Sequence, residues 1–244
     1  GRVASSTAHN FNDWAFNSSQ WWNGVNQNLA GGGVPDTVKI FKDNQWQYVS
    51  KAKVEGNVNL YTQEWPADST VAILNHWFGE GGLGLNKNQF LYWSMDNEAD
   101  IWNGTHDDVM PNGLLPASEF MDKYIEVAKK AKALFPEIKL CGPVTTSEWQ
   151  WFIWGDERIR MNGVYYTWFE YFIKRCADEE KASGVRVLDV FDIHHYPWAP
   201  NDAGALQNHR SFFDKSYVYP GANGVKTING GWDESQNKVY IFQR

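Results

Sequence analysis

The stretch between residues 90 and 196 alternates between short apolar runs and longer segments of helical periodicity. Apolar residues at spacings of three and four indicate amphipathic helices, whereas aromatic and β-branched runs bounded by turn residues indicate strands. Ser118 is placed to cap the first helix and Pro136 to end it, and Gly184 to end the second. The predicted elements, in order, are a buried strand at 90–98, a helix at 118–135, a strand at 138–143, a helix at 164–182 and a β-rich run at 185–196.

This order of elements predicts an α/β fold with parallel strands. Each helix is long enough to cross over between two strands, and right-handed crossovers bring the C-terminal strand ends to one face. We therefore expect a (β/α)8 TIM-barrel-like architecture. Eight strand–helix units cannot be identified, so we expect a partial barrel within this chain, forming a single domain over residues 1–244.

The first ninety residues have a less regular pattern. It predicts a helix from Phe11 to Leu29 and two short strands, at Thr37–Phe41 and Gln45–Val49. A further helix, capped by Asp68, is expected to run through Trp77.

Polar residues follow the end of each predicted strand in the central region. Asn97-Glu98 ends the first strand, Glu148 follows the second, and His194-His195-Tyr196 ends the third. In barrels of alternating strands and helices, the catalytic groups lie at the C-terminal ends of the strands. The sequence therefore predicts a site formed by these strand ends, with Glu98 as the first candidate for a working acid.

Charge and composition limit the classes of ligand that the chain can be expected to bind. A net charge of −7 and a pI near 5.4 argue against nucleic acid and anionic membranes as partners, because no basic stretch can neutralise phosphates. Cys141 and Cys176 form no metal-ligand spacing and are expected to be buried thiols. Aromatic residues make up 16% of the chain, and many tryptophans stand beside polar residues. Such flat, amphipathic surfaces suit sugars, although core packing is an equal alternative for any single tryptophan.

Glycoside hydrolysis needs two carboxyl groups, one to protonate the leaving oxygen and one to act as nucleophile or base. Glu98 qualifies as the acid by its position. Asn97 beside it can hydrogen-bond a sugar hydroxyl near the reacting carbon, an interaction that strengthens in the transition state.

The segment Tyr92-Trp93-Ser94-Met95-Asp96-Asn97-Glu98, continuing to Ile101-Trp102, resembles the acid/base segment of glycoside hydrolase family 44. The resemblance extends over Gly142-Pro143, the Glu148-Trp149-Gln150-Trp151 loop, Asp192 to Pro197, Asp214 to Tyr217 and Trp232 to Ser235. Members of that family are endo-acting β-1,4-glucanases, often active on xyloglucan, xylan or related chains. The family usually has proline after the Asn-Glu pair, where this chain has Ala99.

The resemblance implies a retaining endo-β-1,4-glucanase, secreted and acting on cellulose, xyloglucan or a related cell-wall glucan. Glu98 is then the general acid/base, while His195 and Tyr196 line the subsites or hold the nucleophile in place. We expect no cofactor, with structural calcium at acidic loops such as Asp107-Asp108 as an alternative, and a monomer unless another chain completes the barrel. The implied substrate-binding residues are Asn97, Trp102, Glu148, Trp149, Trp151, His195, Tyr196 and Trp198, and no metal ligand is assigned.

The family's nucleophile is a glutamate at the end of a later strand, and no residue after Tyr196 matches it. We therefore expect a shortened catalytic domain, with Glu148 as a substitute carboxylate to be tested. Two other functions stay open. One is a non-catalytic β-glucan-binding protein that keeps the aromatic groove. The other is a metal-dependent hydrolase that uses Asp96, Asp192 and one of His194 and His195, which alternation places on opposite faces of a strand.

Overall fold

The computed structural model describes residues 1–4, 34–42, 44–54, 58–60, 62–105, 109–110, 113–196, 199–218, 225–226 and 232–233. The helix predicted at 11–29 lies outside these residues, as do Asp107, Asp108 and Trp198. The chain divides into two compact units. The first comprises Gly1–Trp93 and Glu98–Leu140, and the second comprises Ser94–Asn97 and Cys141–Arg244.

The described chain contains strands, α-helices and short 3-10 helices. The strands are β1 (Arg2–Ala4), β2 (Val34–Lys42), β3 (Gln45–Val54), β4 (Thr62–Glu64), β5 (Tyr92–Ser94), β6 (Lys139–Pro143), β7 (Arg160–Met161), β8 (Val164–Tyr165), β9 (Val190–Asp192), β10 (Val225–Lys226) and β11 (Trp232–Asp233). The α-helices are α1 (Ala67–Phe78), α2 (Trp102–Thr105), α3 (Ala117–Leu134), α4 (Trp168–Ser183) and α5 (Asp202–Ala205). Short 3-10 helices occur at Val58–Leu60, Lys87–Gln89, Ala99–Ile101, Glu148–Trp151 and Asn208–Phe212.

The predicted parallel sheet is present as three strands in the order β5-β6-β9. Strands β6 and β9 are parallel, with Cys141 opposite Val190 and Pro143 opposite Asp192. Helix α4 precedes β9 and supplies the crossover. The Lys139 N–H donates to the Leu91 carbonyl (2.7 Å) and the Met95 N–H to the Cys141 carbonyl (3.2 Å). Because partners later in one segment bond later in the other, β5 and β6 also run parallel.

The predicted burial of the strand at 90–98 was wrong. Regular pairing is confined to Tyr92–Ser94, and the side chain of Tyr92 is 66% exposed, with Phe90 and Leu91 exposed as well. Among the described strands β5 lies at the edge of its sheet, so no strand covers its other side there. An aromatic run identifies a strand, but its burial depends on its neighbours.

In the first unit, β2 and β3 form an antiparallel hairpin, longer than predicted, in which Lys42 is opposite Gln45. Helices α1 and α3 pack against each other, burying Val71, Leu74, Met121 and Ala128. Both helices were predicted, but their starts were misassigned. Proline occupies the N-cap position of each, Pro66 before α1 and Pro116 before α3, because its fixed φ suits the entry into a helix. Asp68 and Ser118 therefore lie inside the first turn rather than at the cap.

In the second unit, α4 begins four residues later than its apolar pattern predicts. Val164–Tyr165 instead pairs with Arg160–Met161 as a short hairpin. Thr167 and Glu170 form a capping box, in which the Thr167 hydroxyl accepts from the Glu170 N–H and the Glu170 carboxylate accepts from the Thr167 N–H. This reciprocal pair satisfies two helix-end donors and sets the boundary. Gly184 ends α4 with φ +74°, as predicted. The β-rich run at 185–196 forms a strand only at Val190–Asp192.

Two further observations concern the cysteine thiols and the possibility of membrane-spanning helices. Cys141 and Cys176 are buried thiols, as expected. In the portion of the chain that the structure describes, no helix has the length and apolar character needed to cross a membrane.

Candidate active site

Glu98 lies in the first unit, where the chain leaves β5 and enters a 3-10 helix. Its backbone is left-handed, with φ 51° and ψ 44°, and its carbonyl accepts a hydrogen bond from the Ile101 N–H (3.1 Å). This conformation is uncommon for a residue with a side chain, and such strain clusters at functional sites. Ala99 and Asp100, which follow it, are buried and anchor the turn. The Glu98 side chain remains partly exposed.

Asp96 and Asn97 belong to the second unit. The Asn97 N–H donates to Asp96 Oδ1 (2.8 Å), and the Ser94 hydroxyl donates to the Asp96 carbonyl (3.0 Å). Burial raises the pKa of the Asp96 carboxyl to about 7, against the opposing effect of the Asn97 N–H. Asn97 is an exposed residue. The sequence drew attention to Asp96 only as a metal ligand and did not predict its raised pKa.

Trp102, in the first unit, is half-buried at the start of α2. Its ring meets Phe120 of α3 edge-on, with centroids 6.5 Å apart. Part of this side chain therefore contributes to packing.

The second unit brings Glu148 and His195 together. The strand ends that carry them stay paired beyond β6, because the Val144 N–H donates to the Asp192 carbonyl (2.9 Å). Glu148 begins a 3-10 helix, and its Oε2 lies 3.6 Å from Nδ1 of His195. The pairing of adjacent strands thus places a carboxylate and an imidazole, 47 positions apart in sequence, side by side.

Aromatic rings surround this pair. Trp151 is buried, with its ring centroid 5.9 Å from His195 and stacked on Phe169 at 5.7 Å. Phe212 meets His195 edge-on, at 5.6 Å. Trp151 is therefore held in the packing, whereas Trp149 on the same 3-10 helix is 50% exposed.

The third strand end presents Tyr196 to solvent. Its side chain is 68% exposed, and its hydroxyl lies 3.4 Å from Nδ1 of His194. His194 lies beside Tyr196, whereas His195 lies inside the unit against Glu148, and both residues follow the end of β9 at Asp192.

Thr145 was not identified from the sequence. It lies just beyond β6, is 1% exposed, and its hydroxyl has no hydrogen-bond partner among the described residues. A single threonine in a loop gives no signal of this kind from its sequence.

The metal-dependent alternative requires a cluster of ligands. Over the ranges that the structure describes, no three histidine, cysteine, aspartate or glutamate side chains are grouped to hold a metal ion. The loop considered for calcium, at Asp107-Asp108, lies outside the described residues.

The sequence and the fold both match known proteins. The family model that describes glycoside hydrolase family 44 matches residues 2–199 of this chain. The chain belongs to glycoside hydrolase family 44. Among curated proteins, the beta-mannanase/endoglucanase A of Caldicellulosiruptor saccharolyticus is 25% identical over 129 residues, 52% of this chain and 10% of that protein. Endoglucanase A of Paenibacillus lautus is 29% identical over 109 residues, 44% of this chain and 15% of that protein.

Solved structures of the family share the fold. A Paenibacillus polymyxa xyloglucanase of family 44 aligns with a TM-score of 0.51 and 22% identity, over 63% of this chain and 33% of that one. CelM2, a bifunctional glucanase-xylanase from a metagenome library, aligns with a TM-score of 0.58 and 23% identity, over 93% of this chain and 44% of that one. The chain thus spans less than half the length of each of these proteins.

Proposed function

We propose that this chain is a partial, single catalytic domain of a retaining β-1,4-glucan hydrolase, with Glu98 as its general acid/base. The observation that carries the proposal is the Asn97-Glu98 pair at the C-terminal end of a strand in a parallel α/β sheet, in a member of glycoside hydrolase family 44. Parallel β5, β6 and β9 are compatible with part of a TIM-barrel-type fold, which we propose as the architecture.

In this proposal Glu98 performs two proton transfers. Its carboxylic acid protonates the leaving glycosidic oxygen while a carboxylate nucleophile forms a glycosyl–enzyme bond. The Glu98 carboxylate then removes a proton from the water that hydrolyses that bond, which regenerates the acid. The nucleophile is left unassigned. Asn97, an exposed residue, is proposed to hydrogen-bond a sugar hydroxyl near the reacting carbon.

The proposed substrate is a cell-wall β-1,4-glucan, either cellulose-like or xyloglucan, and the proposed place of action is outside the cell. The printed names of the relatives, endoglucanase and xyloglucanase, support this substrate class. Exposed Trp149 and Tyr196 at strand ends of the second unit offer ring surfaces on which sugars can stack. We propose that the domain acts as a monomer and needs no cofactor.

The test compares the wild-type chain with Glu98→Gln on xyloglucan and on a soluble β-1,4-glucan. We expect the variant to lose hydrolysis, measured as reducing ends released, and to keep glucan binding in affinity electrophoresis. Glu80→Gln, at an exposed position after α1, is the control and should match the wild type. If the wild type binds glucan but releases no reducing ends, this chain by itself acts as a glycan-binding protein. Unchanged turnover in Glu98→Gln would reject the acid/base assignment.

A further inference from the structure

The carboxylate of Glu148 and the imidazole of His195 are not equally accessible. The side chain of His195 is 5% exposed, and neither of its ring nitrogens reaches solvent. The Glu148 side chain is 23% exposed, although its Oε2, which faces His195, is fully buried. A ligand arriving from solvent can therefore meet Glu148 but not His195.

The packing around His195 fixes its position. Trp151 and Phe212 both lie against the ring, with centroids 5.9 Å and 5.6 Å away. Trp151 is itself held by Phe169, whose ring meets Phe191 of β9 at 4.7 Å. An imidazole enclosed in this way has little freedom to rotate, so it presents Nδ1 to Glu148 from a fixed place.

The neighbourhood of Glu148 suits an uncharged, hydroxylated ligand. A carboxylate oxygen only accepts hydrogen bonds, and sugar hydroxyls supply the donors. Trp149, the next residue on the same 3-10 helix, is 50% exposed and offers an aromatic surface to solvent. An exposed aromatic ring and a fixed acceptor on one short helix suit the alternating apolar and hydroxylated faces of sugar rings.

We propose that Glu148 binds hydroxyl groups of the glucan chain. His195 is the positioning residue, which contacts the buried oxygen of the Glu148 carboxylate and fixes its orientation. The ligand class rests on the proposed function. The division of roles between the two residues rests on the 3.6 Å contact and on the difference in their exposure. His195 thus acts on the substrate only through Glu148.

A double-mutant cycle tests this division. Cellotetraose and a xyloglucan heptasaccharide are titrated calorimetrically into the wild-type chain, Glu148→Gln, His195→Gln and the double variant. We expect Glu148→Gln to weaken binding about tenfold, as for loss of a hydrogen bond to a charged group. His195→Gln should weaken binding several-fold, and the double variant should bind no more weakly than Glu148→Gln. Losses that multiply, or an unaffected His195→Gln, would overturn the positioning role.

A control variant and an NMR measurement test whether the binding changes arise from the contact between Glu148 and His195. His209→Gln changes an exposed histidine of the same unit, whose Nδ1 lies 2.9 Å from the Leu206 carbonyl, and should bind like the wild type. The 15N resonances of the His195 imidazole should shift in Glu148→Gln, which reports on the pair without any ligand, and unshifted resonances would refute the contact. Wild-type hydrolysis with undiminished binding by Glu148→Gln would reject this inference alone. Failure of the wild type to bind either sugar would reject the proposed function together with the ligand assigned to Glu148.

Discussion

Replacing Asp96 by asparagine should stabilise the protein at alkaline pH and leave it unchanged in acid. Burial raises the pKa of this carboxyl from 3.8 to about 7 in the folded chain. The native state therefore holds the proton more tightly than the unfolded state, so stability falls as pH rises from about 4 to 7. Asparagine carries no charge and keeps an oxygen to accept the Asn97 N–H, which donates to Asp96 Oδ1 at 2.8 Å. The variant thus avoids the cost of ionising a buried acid.

The size of the effect follows from the two pKa values. The difference between 3.8 and about 7 corresponds to roughly 4 kcal/mol, at about 1.4 kcal/mol for each pH unit. This figure is an upper limit for the gain of Asp96→Asn at pH 8. Urea unfolding at pH 4, 6 and 8 measures it, with Asp156→Asn, at an exposed turn, as the control for loss of a carboxylate. A gain that is equal at pH 4 and pH 8, or absent at pH 8, would refute the reasoning.

Two further predictions concern the second unit. The Ser216 and Arg210 side chains lower the pKa of Asp214 to about 2, so its stabilising effect exists above its ordinary pKa and is lost as pH falls toward 2. Asp214→Asn should therefore melt at a lower temperature than the wild type at pH 7, with the deficit shrinking near pH 2.5; a constant deficit would contradict this. Thr167→Ala removes the hydroxyl of the capping box of α4 and should cost about 1 kcal/mol in urea unfolding, whereas Thr167→Ser should cost much less.

The sequence predicted the strand–helix alternation because apolar periodicity records which face of each element is buried. The helix expected at 118–135 is observed at Ala117–Leu134, and the strand expected at 138–143 at Lys139–Pro143. Starts and ends were less certain, because a capping box or a preceding proline outweighs periodicity over one turn. Thr167 and Pro116 are the two examples here.

Burial and pairing within the candidate site could not be predicted. Alternation indicates that His194 and His195 point to opposite sides, but it does not say which one is enclosed. That outcome depends on Trp151, Phe212 and Glu148, which lie far from His195 in sequence or on another element. The same limit applies to Tyr92, which is 66% exposed, because burial depends on what packs against each face of the sheet.

The most direct test of the central claim is the response of Glu98→Gln to leaving-group quality. An acid catalyst matters for a poor leaving group such as a sugar and hardly at all for dinitrophenolate, which departs without a proton. We predict that the variant loses about 10²- to 10⁴-fold in kcat/KM on xyloglucan or β-1,4-glucan and retains kcat/KM near the wild-type value on a 2,4-dinitrophenyl cello-oligosaccharide. An equal loss on both substrates would contradict the assignment of Glu98 as the general acid.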